Sequence, residues 1–228
     1  MILYLHGFRS SPRSFKARRL AGRLALLERS NDWRCPQLPV SPYEAIRLAQ
    51  SIIGATPPAS LSLIGSSLGA FYATWLAERY GCRAVLLNPA TAPDETLDAF
   101  LGEQTLWHGG GSIVVERRHL DELRALRVPA ITLPHRYYLV AATGDQVLDY
   151  RDMLRKYPDV ETTLIEGSNH GISDFDAYLD RVLAFCGVAA GPADGARDDA
   201  AGSTDNGSSN DLNDGPANRA GDMDAPGA

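Results

Sequence analysis

Short runs of apolar residues alternate along this chain with longer stretches in which apolar residues recur every three or four positions. Nearly continuous apolar runs are typical of strands buried on both faces of a parallel sheet, and the longer period indicates amphipathic helices. The predicted strands are residues 2–5, a weak one near 33–35, 60–64, 84–87, 137–141 and 161–165. The predicted helices are 15–29, 43–53, 68–80, 146–157 and 173–186, the last with Ser173 as its N-cap. This order predicts an α/β fold: an open, mainly parallel sheet of about six strands with flanking helices.

Residues 89–135 interrupt the alternation. They contain Pro89, Pro93, three consecutive glycines at 109–111 and two helical patterns, at 95–101 and 118–127. A crossover between parallel strands needs only about a dozen residues, so an excursion forming a small helical lid is one interpretation. An ordinary long crossover with a hairpin is the other. Five apolar residues of this interval either line a substrate pocket or only pack a lid against the sheet: Leu97, Phe100, Leu101, Leu106 and Trp107.

Composition divides the chain in two. With 228 residues and 44% hydrophobic side chains, it suits one domain, which the strand and helix patterns place at residues 1–187. Residues 188–228 consist mainly of Gly, Ala, Asp, Asn, Ser and Pro, and they hold all of the excess negative charge of −6. Such a segment cannot bury enough apolar surface to offset its chain entropy, so a disordered acidic tail is predicted.

Charge and cysteine content exclude several classes of function. Residues 1–187 carry equal numbers of basic and acidic side chains without a strong basic cluster, which argues against nucleic-acid and membrane-surface partners. No apolar run approaches the roughly 20 residues of a spanning helix, and no signal peptide opens the chain. Three widely spaced cysteines without a CxxC motif favour a reducing compartment over disulfides or a zinc site. A cytoplasmic location is therefore expected, with neither metal nor organic cofactor; the oligomeric state is left open.

The sequence GSSLG at residues 65–69 is the strongest chemical signal. It matches G-x-S-x-G around Ser67, between a predicted strand and a predicted helix, which is the context of a nucleophile on a sharp turn. Gly65 and Gly69 would remove side chains that clash in such a turn. Ser67 is the predicted nucleophile.

An alcohol nucleophile needs a base and a group that orients the base. His170 follows the predicted strand 161–165, and Asp145 follows the strand 137–141, so both belong at the carboxyl edge of the sheet, where Ser67 also lies. The order Ser67, Asp145, His170 is that of α/β-hydrolases. Asp149, four residues after Asp145, is the alternative acid.

The oxyanion of an acyl-transfer reaction needs backbone N–H donors. Leu68, directly after the nucleophile, supplies one, and Phe8 in the loop after the first strand supplies the other. Gly7 allows that loop to approach a substrate closely, and His6 is expected to hold the loop in place. The sequence HGGG at 108–111 resembles an oxyanion motif, but it follows the nucleophile in the chain instead of preceding it.

These segments together resemble the YqiA-type esterases, which are small α/β-hydrolases. The resemblance rests on YLHGF at 4–8, GSSLG at 65–69, NPA at 88–90, TGDQVLDYR at 143–151 and EGSNH at 166–170, and it spans nearly all of residues 1–187. It implies an α/β-hydrolase fold, hydrolysis of carboxylic esters or thioesters, and the triad Ser67, Asp145 and His170. Ala70 departs from the second glycine that such relatives often carry, and the acidic tail has no counterpart in the family.

The function expected from the sequence is a serine hydrolase acting on small esters or thioesters with short to medium acyl chains. Two alternatives stay open. One is a catalytically silent binding protein with the same fold, and the other is a peptidase or C–C bond hydrolase that uses the same triad.

Overall fold

The structure, a computed structural model, describes residues 1–189. Its strands are β1 Ile2–Leu5, β2 Trp33–Arg34, β3 Ser62–Ser66, β4 Arg83–Leu87, β5 Gly102–Thr105, β6 Ser112–Val115, β7 Tyr137–Ala142 and β8 Glu161–Ile165. Its α-helices are α1 Phe15–Leu26, α2 Pro42–Ile53, α3 Leu68–Tyr80, α4 Pro93–Thr96, α5 Arg117–Ala125, α6 Tyr150–Lys156 and α7 Leu179–Phe185. Six strands pair in parallel in the order β2-β1-β3-β4-β7-β8. The predicted α/β sheet is confirmed.

The apolar runs form strands because the sheet is covered on both faces. On β1, Leu3 and Leu5 pack with helices α2 and α3 on one face, while Ile2 and Tyr4 pack with α1 and α7 on the other. All four side chains are almost fully buried. Alternate residues of a strand point to opposite faces, so a continuous apolar run is the pattern that two covered faces require. Within residues 1–189, no helix combines the length and apolar character needed to cross a bilayer.

The segment between β4 and β7 contains both expected helical pieces and also a β-hairpin. Helix α4 continues into a 3₁₀ turn at Leu97–Phe100, strands β5 and β6 pair antiparallel, and α5 follows. The three glycines at 109–111 lie in the hairpin turn, all with positive φ. In α5, Glu122 accepts hydrogen bonds from the Ser41 hydroxyl at 2.7 Å and from the Tyr43 N–H at 3.1 Å, which attaches the insertion to the start of α2.

Two predicted helices start later than expected. Helix α6 begins at Tyr150 instead of residue 146, with Asp149 as its N-cap. Helix α7 begins at Leu179, so the prediction of Ser173 as the N-cap was wrong: a 3₁₀ turn at Phe175–Ala177 comes first and buries Phe175 completely. The predicted disordered tail falls almost entirely outside the described residues; Val188, at its start, is buried in the core.

Candidate functional site

Ser67 lies on the sharp turn that joins β3 to α3. Its backbone has φ 55° and ψ −118°, a conformation that costs a non-glycine residue roughly 1–3 kcal/mol. Two backbone hydrogen bonds hold it there: the Ser67 N–H donates to the Leu87 carbonyl at 2.9 Å, and the Ser67 carbonyl accepts from the Ala90 N–H at 3.2 Å. The strained turn is therefore fixed by the end of the neighbouring strand β4, and the serine side chain is left partly exposed.

The two glycines of the motif are required by close packing around this turn. A Cβ on Gly65 would overlap the backbone of Ala70, and a Cβ on Gly69 would overlap the carbonyl of Leu5. The first contact lies within the turn and the second lies between α3 and β1. Both glycines thus allow the start of α3 to approach the sheet closely, as the sequence predicted.

His170 and Asp145 meet at the same edge of the sheet. The His170 Nδ1 lies 2.7 Å from the Asp145 Oδ2, and the Asp145 carboxylate is completely buried. The other carboxylate oxygen, Oδ1, accepts from the N–H groups of Val147 at 2.8 Å and Leu148 at 2.9 Å. A carboxylate held on both oxygens fixes the orientation of the imidazole and leaves the His170 Nε2 available as a base. Within residues 1–189, the Ser67 hydroxyl itself makes no hydrogen bond.

Asp149, the alternative acid, has a different position. Its carboxylate accepts a hydrogen bond from the Arg151 N–H at 2.8 Å and caps α6, with the Arg151 guanidinium 3.5 Å away. Its side chain is 48% exposed. The structure therefore brings Asp145 to His170 and places Asp149 at a helix terminus.

The loop after β1 lies directly against Ser67. A Cβ placed on Gly7 would lie 3.3 Å from the Ser67 Cβ, so a side chain at this position would crowd Ser67. Phe8 and Leu68 both line one small cavity. In the described part of the chain, neither the Phe8 N–H nor the Leu68 N–H is hydrogen-bonded, and an oxyanion site would need free donors of this kind.

His6 holds this loop from behind. Its Nε2 accepts from the Leu38 N–H at 3.0 Å, which puts the proton of the neutral ring on Nδ1, 2.9 Å from the Gly7 carbonyl. Burial lowers the pKa of His6 below its ordinary value, and the hydrogen bond with the Gly7 carbonyl opposes this shift. A neutral, doubly hydrogen-bonded imidazole fits the positioning role that the sequence suggested.

The cavity beside Phe8 and Leu68 is narrow. The space open to the centre of a water molecule is about 10 Å³, and the walls come from α2, α3, α5, β6 and the segments that carry Phe8, Val40 and Leu97. Of the five apolar residues for which lining and packing were both open, Leu97 lines this cavity. Phe100 instead packs edge-on against the Phe8 ring at 5.7 Å, and Trp107 stacks with the Arg9 guanidinium at 4.1 Å. The insertion thus contacts the loop that carries Phe8.

The profile of the uncharacterised protein family UPF0227 matches residues 1–187. The chain belongs to this family. The match covers the same residues as the resemblance to YqiA-type esterases and confirms it.

Solved structures resemble this UPF0227 chain in fold. Est1E from Butyrivibrio proteoclasticus, in a structure with bound ferulic acid, has a TM-score of 0.60 at 12% identity, covering 81% of this chain and 86% of its own. Mouse alpha/beta hydrolase domain-containing protein 10 has a TM-score of 0.58 at 16% identity, and the match covers 80% of this chain and 89% of the mouse chain. A monoacylglycerol lipase from Paleococcus ferrophilus has a TM-score of 0.57 at 15% identity, and the match covers 81% of this chain and 94% of the lipase chain. The UPF0227 chain therefore has the α/β-hydrolase fold.

Asn88 is a site residue to which the sequence reasoning gave no role. It is fully buried at the end of β4, and its Nδ2 donates to the carbonyls of Asn169 at 3.2 Å and His170 at 3.0 Å. Its Oδ1 accepts from the Ala142 N–H at 2.8 Å. The Asn88 side chain thus connects the end of β4, which holds the Ser67 backbone, to the loop that carries His170. Its position directly after a buried strand was the available signal.

Replacing Asn88 by alanine is expected to lower both stability and activity. The substitution leaves buried backbone groups without partners, at about 1–3 kcal/mol for each unpaired group, and releases the His170 loop. Urea unfolding should show the loss of stability, and ester hydrolysis should show a reduced kcat. Asn169→Ala is the matched control: it removes an exposed side chain whose two hydrogen bonds, both to Ser173 at 3.3 Å, stay within the same loop, so it should lose much less stability and activity. Equal behaviour of the two variants would contradict the linking role of Asn88.

Lys16 is a second residue that the sequence reasoning missed. It lies on the buried stripe of α1 with Leu20 and Leu24, and its Nζ donates to the Gly171 carbonyl at 2.7 Å, next to His170. Burial lowers the pKa of Lys16 to about 8, and the negative charge of Asp145 opposes this shift. A lysine among leucines at helical spacing was visible in the sequence, but its contact with Gly171 was not.

The lowered pKa predicts how stability depends on pH. Since the folded-state pKa of Lys16 lies below the ordinary value of 10.5, the unfolded chain holds this proton more tightly between pH 8 and 10.5. The free energy of unfolding of the wild type should therefore rise with pH in that window relative to Lys16→Met, by on the order of 3 kcal/mol in total. Urea unfolding of both proteins across the window measures the difference. A flat or falling difference would show that the ammonium is not desolvated.

Proposed function

We propose that this UPF0227 chain is a serine hydrolase that cleaves small carboxylic esters or thioesters through an acyl-serine intermediate. The observation that carries the proposal is the pairing of His170 with the buried carboxylate of Asp145, at the sheet edge where Ser67 occupies a strained strand-to-helix turn. A hydroxyl, an imidazole and a carboxylate supplied by three separate segments are the components of acyl transfer.

The mechanism follows from these groups. His170 Nε2 takes the proton of the Ser67 hydroxyl as the oxygen attacks the carbonyl carbon, and Asp145 stabilises the imidazolium that forms. The N–H groups of Phe8 and Leu68 donate hydrogen bonds to the carbonyl oxygen as it becomes negatively charged. Each donor of this kind lowers the activation free energy by about 3 kcal/mol. The imidazolium then protonates the departing alcohol or thiol. Water, deprotonated by His170, releases the acid and restores Ser67.

The dimensions of the cavity support short acyl groups. The space for the centre of a water molecule beside Phe8 and Leu68 is about 10 Å³, so a short acyl group fits this cavity better than a long one. Acetyl to butyryl esters should therefore have the highest kcat/KM, and activity should fall for longer chains.

A panel of substrates tests the proposal. Purified full-length protein is assayed with p-nitrophenyl esters of increasing acyl length, with acetylthiocholine as a thioester and with p-nitroacetanilide as an amide. Turnover of the short esters or of the thioester, with little turnover of the amide, is the expected result. Exclusive cleavage of the amide would favour a peptidase, and no turnover of any member would favour the silent binding protein or a C–C bond hydrolase.

A further inference from the structure

His119 in helix α5 lies in the wall of the cavity next to Phe8 and Leu68. Its side chain is 3% exposed, and most of the other walls are apolar, including Leu120 and Leu123 from the same helix. Tyr72 is the other lining residue with a polar group in its side chain. A buried imidazole in such a place needs a partner for each polar nitrogen.

Only one nitrogen of His119 has a partner. The Glu116 N–H donates to Nδ1 at 3.1 Å, which completes a capping box at the start of α5. In a neutral imidazole the proton then lies on Nε2. Among residues 1–189, this buried Nε2 has no hydrogen-bond partner. The fold uses the acceptor nitrogen of His119 and leaves the donor unused, although leaving a buried donor unpaired is unfavourable.

The position of the cavity relative to His170 indicates whether the cavity faces the acyl group or the leaving group of a substrate. This step rests on the proposed function. His170 must protonate the leaving group, so the alcohol or thiol departs on the His170 side. The cavity is bounded by the two oxyanion residues, Phe8 and Leu68, and includes no residue of the segments that carry Asp145 and His170. It is therefore placed to receive the acyl portion.

We propose that His119 determines acyl specificity by donating a hydrogen bond from Nε2 to an acceptor oxygen of the acyl group. The favoured substrates are then short esters or thioesters whose acyl chain carries an ether, keto or hydroxyl oxygen. A plain alkyl chain of the same length leaves the donor unpaired, and a site with an unpaired polar group discriminates against such an analogue.

Two substitutions separate the two nitrogens of His119. The Oδ1 of asparagine takes the place of Nδ1, so His119→Asn keeps the capping acceptor and removes the donor. The Nε2 of glutamine takes the place of the imidazole Nε2, so His119→Gln keeps the donor and loses the cap. Substrates are paired p-nitrophenyl esters in which oxygen replaces one methylene: methoxyacetate with butyrate, and 4-methoxybutanoate with hexanoate. The leaving group is the same throughout.

The measured quantity is the ratio of kcat/KM for the oxygen-containing ester to that for its alkyl partner, divided by the same ratio for alkaline hydrolysis in solution. We expect this corrected ratio to exceed one for at least one pair of esters in the wild type. His119→Asn should lower the ratio for that pair roughly three- to tenfold, and His119→Gln should leave it unchanged. Thermal melting of each variant checks that it is folded. If a variant does not fold, the corrected ratio of the wild type still tests the proposal.

Several outcomes would overturn the proposal. A corrected wild-type ratio of one or less for both pairs would do so, as would a preference lost in His119→Gln but kept in His119→Asn. A preference that disappears in Tyr72→Phe while surviving in His119→Asn would assign the donor to the phenol. If the wild type hydrolyses the esters without any preference, the specificity role alone fails; if it hydrolyses none of them, the proposed function fails with it.

Discussion

Replacing Ser67 by alanine is expected to lower kcat/KM for p-nitrophenyl butyrate by about 10⁵-fold or more, the scale on which removal of a serine nucleophile acts. Attack on the carbonyl needs the Ser67 oxygen, and the hydroxyl of the adjacent Ser66 belongs to a buried residue of β3. The measurement is steady-state hydrolysis with protein free of contaminating esterases. Retention of more than a few per cent of the activity would exclude Ser67 as the nucleophile.

The control for this substitution uses the strained backbone of the turn. Alanine keeps a Cβ at φ 55° and so keeps the strain, while glycine relieves it. Ser67→Ala should unfold near the wild-type urea midpoint, and Ser67→Gly should be more stable than Ser67→Ala by about 1 kcal/mol. Both should be inactive. Loss of activity with an unchanged urea midpoint in Ser67→Ala separates a chemical role from a structural one.

Replacing Asp145 by asparagine is expected to lower kcat about 10⁴-fold. The Val147 and Leu148 N–H groups hold the Oδ1 of Asp145, so the asparagine carbonyl should occupy that place and its NH₂ should face the His170 Nδ1. Nδ1 then accepts a hydrogen bond, the imidazole proton moves to Nε2, and the ring can no longer act as a base toward Ser67.

Asp149→Asn is the matched control, because it makes the same chemical change four residues away. Asparagine is as good an N-cap as aspartate, so α6 should remain intact and kcat should stay within about twofold of the wild type. Parallel pH–rate profiles of the two variants complete the comparison. A larger loss in Asp149→Asn than in Asp145→Asn would make Asp149 the orienting acid.

The sheet was predictable from the sequence because its strands are buried on both faces. Residues 2–5 and 161–165 match β1 and β8, and helix α3 occupies the predicted residues 68–80. The β5–β6 hairpin was only an alternative, since Gly102–Thr105 is mostly exposed and has no apolar alternation to indicate a strand. Helix α6 starts late because the Asp145 carboxylate accepts the N–H groups of Val147 and Leu148 and turns the chain there.

The site was predictable to the extent that it depends on short motifs at strand ends. Ser67, Asp145 and His170 each follow a recognisable strand, so the topology alone places them at one edge. Asn88 and Lys16 contact segments distant in the chain, and a single sequence does not contain those contacts. The residues that hold the site together therefore emerged only from the structure.

Labelling with a fluorophosphonate probe tests the central claim most directly, because the probe reacts only with a serine whose hydroxyl is activated by a base. After incubation, intact-mass measurement and peptide sequencing of the full chain should show one adduct, on Ser67. Labelling should be absent in Ser67→Ala, strongly slowed in Asp145→Asn and unchanged in Asp149→Asn. An unlabelled wild type, or an adduct on another residue with Ser67 unmodified, would contradict the assignment of Ser67, His170 and Asp145 as one catalytic unit.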